Sequence, residues 1–445
     1  MNKNKTNWVA VLTMMFLFGM IAFVTNLAAP LGQIWQGQDA INGNKVLGMM
    51  GNMMNFLAYL FMGIPAGKLV ANKGYKATAL IGIAVGFFGI LIQFLSGAVA
   101  TGMTSFVIYL LGAFVAGFAV CILNTVVNPM LNTLGGGGNK GNQLVQVGGS
   151  FNSLLGTLTP MLVGALVGDV VTKKTIADGI HAEGTKLTQI SDVNPVLFIA
   201  MAVFVFAFVV IYFVNITDPE QSKTSEPVGN PLKFKHFVYG AIAIFLYVGV
   251  EVGIPATLID YLSDPKLNIL KGLGHDAPVK IAGFVAGTYW LLMLVGRLVS
   301  SFISSKVSSR TQLTVVCTVA IAFVVAAICT PASVTTKMPA FMGASSGFEM
   351  VAVPMSALLL VLCGLCTSVM WGVIYNLAVE GLGSATAKAS GFFMAMVVGG
   401  GVLPLLQSAI SGSSAGHMAS YWIIVAALAY MLWFALLGSR VKSTK

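Results

Sequence analysis

Charge is scarce in this sequence. Of its 445 residues only 9% are Asp, Glu, Lys or Arg, against about 25% in an ordinary soluble domain. Acids are the scarcer sign, with 14 Asp and Glu set against 24 Lys and Arg. A water-soluble fold of this length would have too few charges to cover its surface, and a disordered chain would need more of them. Both classes are excluded. The cysteines, Cys121, Cys317, Cys329, Cys363 and Cys366, lie in apolar runs except Cys329, and none has a metal spacing. They read as packed free thiols. The histidines, His181, His236, His275 and His417, sit in loops or at the ends of apolar runs without a metal-ligand pair. Gly135-Gly136-Gly137-Gly138 lacks the Lys-Ser/Thr pair of a phosphate loop. No nucleophile with a nearby base is visible. Paired carboxylates or His clusters near a membrane interface are also missing from the pattern. No metal, no cofactor and no enzyme chemistry are expected.

What is present is apolar sequence: 57% of residues are hydrophobic and the mean hydropathy is +0.89. The net charge of +10 lies in short loops between apolar runs, which points to a membrane rather than to nucleic acid. A hydrocarbon core takes about 20 apolar residues per helix. Spans are expected near 8–34, 47–70, 76–99, 103–131, 144–169 and 194–215. A second set follows near 236–261, 279–303, 312–331, 351–378, 387–409 and 418–437. The fold class is therefore an all-α membrane protein with twelve transmembrane helices in two six-helix bundles. The first run has no small-residue cleavage site and reads as a retained helix.

The only long polar joint that divides the spans evenly runs from Asn215 to His236. The expected organisation is a first bundle at 1–215, a linker at 216–235 and a second bundle at 236–445. Lys and Arg crowd the loops that share a side with both termini, among them Lys68, Lys73, Lys76, Lys233, Lys235 and Arg310. The opposite loops carry fewer, including Lys45, and balance them with acids. Both termini and the linker are thus expected in the cytoplasm. The longest opposite loop, near 170–193, is polar enough for a small cap. Basic turns follow the second and eighth spans, at Gly67–Lys76 and from Gly296-Arg297 to Arg310. They suggest a parallel duplication. Gly74 is suited to end a helix in the left-handed conformation.

Polar groups in hydrocarbon usually face the bundle interior. The first half offers Asn26, Asn52, Asn55, Asn124, Asn128, Gln143, Gln146 and Asn152. Asn124, Asn128 and Asn132 recur every four residues and share a helix face. In the second half Thr367, Trp371 and Tyr375 do the same, followed by Asn376. Amides exchange hydrogen bonds with hydroxyls, and an aromatic face packs on a sugar ring. The set suits a neutral polyol, although any single Asn could serve as interhelical glue. Glu251 is the only acid deep in a span. Desolvation disfavours a lone ionised carboxylate unless a cation or several donors compensate. Its candidate roles are proton carrier, sodium ligand, sugar acceptor and structural acid. Arg297 reads as an interhelical or interfacial clamp.

These residues resemble a known family. Leu123-Asn124-Thr125-Val126-Val127-Asn128-Pro129 is similar to a Leu-Glu-Thr-x-x-Asn-Pro string, and Asn142-Gln143-Leu144-x-Gln146 and Phe151-Asn152-Ser153-x-x-Gly156 continue it. Phe245-Leu246-Tyr247-Val248-Gly249-Val250-Glu251-Val252, Met370 to Gly383 and Gly391 to Pro404 complete it, and Gly67 to Lys76 is similar to a superfamily signature loop. The whole resembles a major facilitator superfamily transporter, in particular the fucose–galactose–glucose:proton symporters. The resemblance implies the major facilitator fold, usually monomeric, in a bacterial inner membrane, binding a sugar and coupled to an ion.

The site it implies takes Asn26, Asn55, Asn124, Asn128, Gln143, Gln146, Asn152, Tyr247, Glu251, Tyr289, Trp371, Tyr375 and Asn376. Gating is expected at Gly67, Lys73, Gly74, Lys76, Arg297 and Arg310. Two departures stand out. Asn26 and Asn124 fall where the family has an Asp and a Glu tied to proton coupling, and Asn cannot titrate. Trp371 falls where the family would have Phe followed by Pro. Glu251 is the remaining coupling candidate, with a proton or sodium as the ion. The alternatives are a uniporter, or a carrier of an amino sugar, an acidic sugar or a nucleoside.

Overall fold

The computed structural model describes residues 8–134, 138–168, 171, 176, 185–214, 230–275, 278–303, 307–343, 347–382 and 386–440. Among these, twelve helices are long and apolar enough to cross a membrane. They are α1 Trp8–Gln36, α2 Met50–Val70, α3 Asn72–Val99, α4 Gly102–Leu131, α5 Leu144–Val167 and α6 Ile190–Phe213, then α7 Lys235–Ser263, α8 Pro278–Ser300, α9 Ser309–Cys329, α10 Met355–Val379, α11 Gly391–Ser411 and α12 Gly416–Gly438. The expected spans match these within a few residues. Residues 215–229 of the expected linker, most of the 170–193 loop and residues 135–137 lie outside the described set. An even number of crossings puts the start of α1 and the end of α12 on one face, called here the terminal face.

Position in the bundle follows from what each helix buries. In α1 and α7, 72% of the most apolar window is buried, against 28% in α9. The first two are central and α9 faces lipid. The core is one continuous apolar cluster that includes Trp35, Phe106, Tyr247, Tyr289, Phe393 and Tyr421.

Three local features depart from plain helices. Between α9 and α10 the chain forms an antiparallel hairpin, β1 Thr335–Gly343 and β2 Gly347–Pro354. The expected tenth span began at 351, inside β2, whereas α10 starts at Met355. Val351 and Val353 are buried while Phe348 and Met350 are exposed, a period of two that marks a strand. Next, α11 is interrupted at Val397–Val398, between helical stretches Thr386–Met396 and Gly399–Ser411. Finally, Gly74 breaks the long α2–α3 run with φ 80 and ψ 172. The positive φ was expected, but this ψ is mirror-extended rather than left-handed helical, a region essentially reserved for Gly.

At that turn Lys76 Nζ donates to the carbonyls of Tyr212 (3.0 Å) and Val214 (2.8 Å). These carbonyls end α6 and have no partner in their own helix. Lys76 therefore anchors α3 to α6 within the first half. Lys73 is exposed, and a Cβ at Gly67 would meet nothing within 4 Å. Arg310, at the start of α9, is half-buried with its Nε enclosed.

Glycines bring the two halves together along α5 and α8. A Cβ on Gly283 would lie 2.9 Å from the Pro160 carbonyl oxygen, and one on Gly287 3.0 Å from that of Thr157. Small residues let membrane helices pack backbone to backbone. We expect Gly287→Val to cost about 1–3 kcal/mol by overpacking, read as a melting temperature several degrees lower in detergent. An unchanged melting temperature would mean that α5 and α8 do not hold this contact.

Candidate functional site

The central site is built where α5 of the first half meets α7, α8 and α10 of the second. Arg297 projects from α8. Its Nη1 donates to the Gly149 carbonyl on α5, and its Nη2 lies 3.5 Å from Glu251 Oε1 on α7. The Arg297 and Glu251 side chains are 13% and 15% exposed. Glu251 is thus not the solitary carboxylate that the sequence suggested. Spans 46 residues apart in sequence bring it a guanidinium, and a buried acid requires such a partner. The carboxylate contact is longer than the roughly 2.7–2.9 Å of a tight charge-assisted bond. Arg297 is therefore shared between an acid of its own half and a carbonyl of the other. The clamp expected of Arg297 is a cross-half junction at the heart of the site.

Three expected residues frame this junction. The Tyr247 hydroxyl is buried beside both charges, one helical turn before Glu251. The Trp371 ring lies with its centroid 6.1 Å from that of Tyr247. Gln146, one turn before Gly149 on α5, reaches α10: a Cβ on Gly372 would sit 3.5 Å from Gln146 Nε2. An amide, a phenol, an indole and an ion pair thus converge between the halves.

The other expected residues are dispersed. Asn26 Nδ2 donates to the Ala22 carbonyl at 2.8 Å and faces Gly156 on α5. Asn152 Nδ2 donates to Phe18 O at 3.1 Å, tying α5 to α1. Asn124 Nδ2 donates to the Tyr59 hydroxyl at 2.8 Å, and Asn128 Nδ2 to Asn124 O at 3.1 Å. These two amides are engaged within the first half. Asn55 is buried and lines a cavity of about 10 Å³ with Gln93 and Tyr109, room for about one water. Tyr289 is fully buried with its hydroxyl 2.8 Å from Thr367 Oγ1, a contact that packs α8 on α10. The Tyr375 ring packs on Phe393 at 5.3 Å. Asn376, one residue round the helix, is exposed. The Gln143 side chain lies outside the described set.

Three features escaped the sequence reading. Trp290 packs against Gly156 beside Asn26, where a Gly156 Cβ would be 3.3 Å from the indole. Asn52, a polar span residue left out of the expected site, donates from Nδ2 to Gly400 O at 2.9 Å, at the interruption of α11. The run Gly399-Gly400-Gly401 was its sequence signal, since broken spans line transport sites. The third is a cluster of Lys45, Asp260, Asp264 and His417 at the face opposite the termini. The sequence pattern showed no paired carboxylates or His clusters near an interface, and the fold assembles this one. Its members come from three distant stretches of the chain.

Comparisons with known proteins bear on this geometry. A family model described as Major Facilitator Superfamily matches residues 8–401. A glucose/galactose transporter of Brucella abortus biovar 1 (strain 9-941) is 27% identical over 434 residues, 97% of this chain and 94% of that one. An L-fucose-proton symporter of Escherichia coli (strain K12) is 22% identical over 396 residues, 83% and 80% of the two chains. Among solved structures, the E. coli fucose:proton symporter superposes with a TM-score of 0.67 at 18% identity, covering 98% of this chain and 100% of that one. A bacterial homologue of the human lysosomal transporter Spinster, inward-facing and occupied, gives 0.63 at 13% identity, covering 99% and 98%.

Proposed function

We propose a sugar-transport function from one premise: the chain belongs to the Major Facilitator Superfamily. It carries a neutral monosaccharide of the glucose, galactose or fucose type across the bacterial cytoplasmic membrane by alternating access. The halves 1–215 and 236–445 rock about a mid-membrane site, joined by the linker at 216–235. The Lys and Arg bias sets the terminal face in the cytoplasm. The relatives named for glucose, galactose and fucose support the substrate class.

The observation that carries the reading is the junction of Glu251, Arg297 and the Gly149 carbonyl, framed by Gln146, Tyr247 and Trp371. Amide and phenol groups exchange hydrogen bonds with sugar hydroxyls, and Trp371 gives a ring face. Among the described residues, the side-chain cation at this junction is Arg297, which already faces Glu251 at 3.5 Å, and this favours a neutral over an acidic sugar. Glu251 is the coupling candidate. Protonating it removes the charge on one side of Arg297 and leaves the guanidinium held by the other half alone. An ion biases the cycle only by binding its two states differently, and this junction spans the moving interface.

The test is uptake of radiolabelled neutral monosaccharides into proteoliposomes, with and without proton and sodium gradients. Accumulation of one of them under a proton gradient is expected. Glu251→Gln should abolish accumulation while sparing counterflow. Unchanged accumulation would remove Glu251 as the coupling group, and no counterflow with any neutral sugar would sink the substrate class.

A further inference from the structure

The cluster opposite the terminal face lies well away from the central junction and joins the two halves. Lys45 comes from the short helix Lys45–Gly48, between α1 and α2. Asp260 and Asp264 lie one turn apart at the end of α7, and His417 is in the first turn of α12. The Lys45, Asp260, Asp264 and His417 side chains are 13%, 19%, 9% and 4% exposed. Lys45 Nζ is 3.0 Å from Asp260 Oδ2 and 2.9 Å from Asp264 Oδ2. Its ammonium fills the place of a cation between two carboxylates.

The proton inventory of this cluster is unsettled by its own geometry. His417 Nε2 lies 2.6 Å from Lys45 Nζ and 3.0 Å from Asp260 Oδ2. A ring nitrogen carries either a proton or a lone pair. Bare, it accepts from the ammonium but sets its lone pair against the carboxylate. Protonated, it donates to Asp260 but crowds the ammonium. One contact is compromised in either state, and the compromise depends on Lys45 being present. Other groups face the cluster from the neighbouring elements. The Tyr261 ring packs on His417 at 5.7 Å, and the Lys266 backbone N–H donates to Asp264 Oδ1 at 2.8 Å. The Ser420 hydroxyl donates to the His417 carbonyl, and Gly412 at the end of α11 borders the Lys45 side chain.

We propose that Asp260, Asp264 and His417 form a proton-binding site of the second half, filled by the Lys45 ammonium when this face is closed and by a proton from the adjoining solution when it is open. The proposal rests on the alternating-access reading. Separation of the halves carries Lys45 away with the first half. The two carboxylates then remain together, and like charges so close favour taking up a proton. Lys45 and the proton are competitors. The open state binds more protons than the closed one, so acid favours opening of this face and alkali favours closing.

The test measures the distance between spin labels at Thr101→Cys and Ser414→Cys, both exposed on this face, with Cys329→Ser as background. The protein is held in nanodiscs at about pH 8 and about pH 5. The ratio of long to short distances should rise about tenfold or more on acidification, as expected for at least one linked proton. Lys45→Met should reverse the sign. Closing then buries carboxylates without their ammonium, and only protons neutralise them. Asp264→Asn, with Lys45 in place, should weaken the response. Retained binding of the transported sugar shows that a variant is folded. Should Lys45→Met not fold, Asp264→Asn decides.

Two populations whose ratio ignores pH, or an unreversed sign in Lys45→Met, would overturn the site alone. A single distance under all conditions would sink alternating access and the site with it. A shift driven by sodium at constant pH would overturn the proton in favour of a metal cation.

Discussion

Arg297→Met is expected to destabilise the protein by about 3–5 kcal/mol, since it strands a buried carboxylate at Glu251. It also removes the donor to the Gly149 carbonyl, a contact between the halves. The measurement is thermal unfolding in nanodiscs for Arg297→Met, Glu251→Gln and the double variant. The double variant should recover most of the loss, because a neutral amide tolerates burial without a cation. Arg297→Lys should recover little. A lysine ammonium lacks the fork that reaches the carboxylate and the carbonyl together. If the single and double variants are equally unstable, the cost comes from the lost Gly149 contact and the ion pair carries none of it.

The second large effect is expected of Asn26→Asp. Asn26 donates from Nδ2 to the Ala22 carbonyl oxygen at 2.8 Å. An ionised Asp would set two acceptor oxygens against each other at that distance. A proton between them restores the hydrogen bond. The substitution therefore installs a proton-binding group on α1. Initial sugar uptake should acquire a new dependence on external pH, up to about tenfold per unit for one linked proton. Uptake into proteoliposomes across a pH series checks this against the unsubstituted protein. Superimposable profiles would mean that the Asp finds another partner and binds no coupling proton.

These two residues also mark how far the sequence was legible. Asn26 was readable as a departure, an amide where the resemblance implied an acid. Its amide, however, bonds to its own helix, which spacing could not reveal. Glu251 stood out in the sequence because an acid deep in an apolar run needs a reason. Its partner was not found: Arg297 was read as an interhelical or interfacial clamp, and nothing in the sequence paired it with Glu251. The hairpin at 335–354 was misread at its edge because apolar strand residues and apolar helix residues look alike over a short run. The hydroxyl partner of Tyr289, Thr367 on the neighbouring helix, was likewise invisible to spacing along the chain.

The sequence by itself determined the solvent, the number of crossings and the polar residues that needed explanation. All three depend on local composition: a scarcity of charge, runs long enough for a bilayer, and side chains costly to leave in hydrocarbon. Only the tertiary structure decided which of those groups meet. Glu251 found Arg297 and the Gly149 carbonyl, and Lys45 found Asp260, Asp264 and His417. These contacts join segments 46 to 372 residues apart, and helix packing, not spacing along the chain, sets such distances.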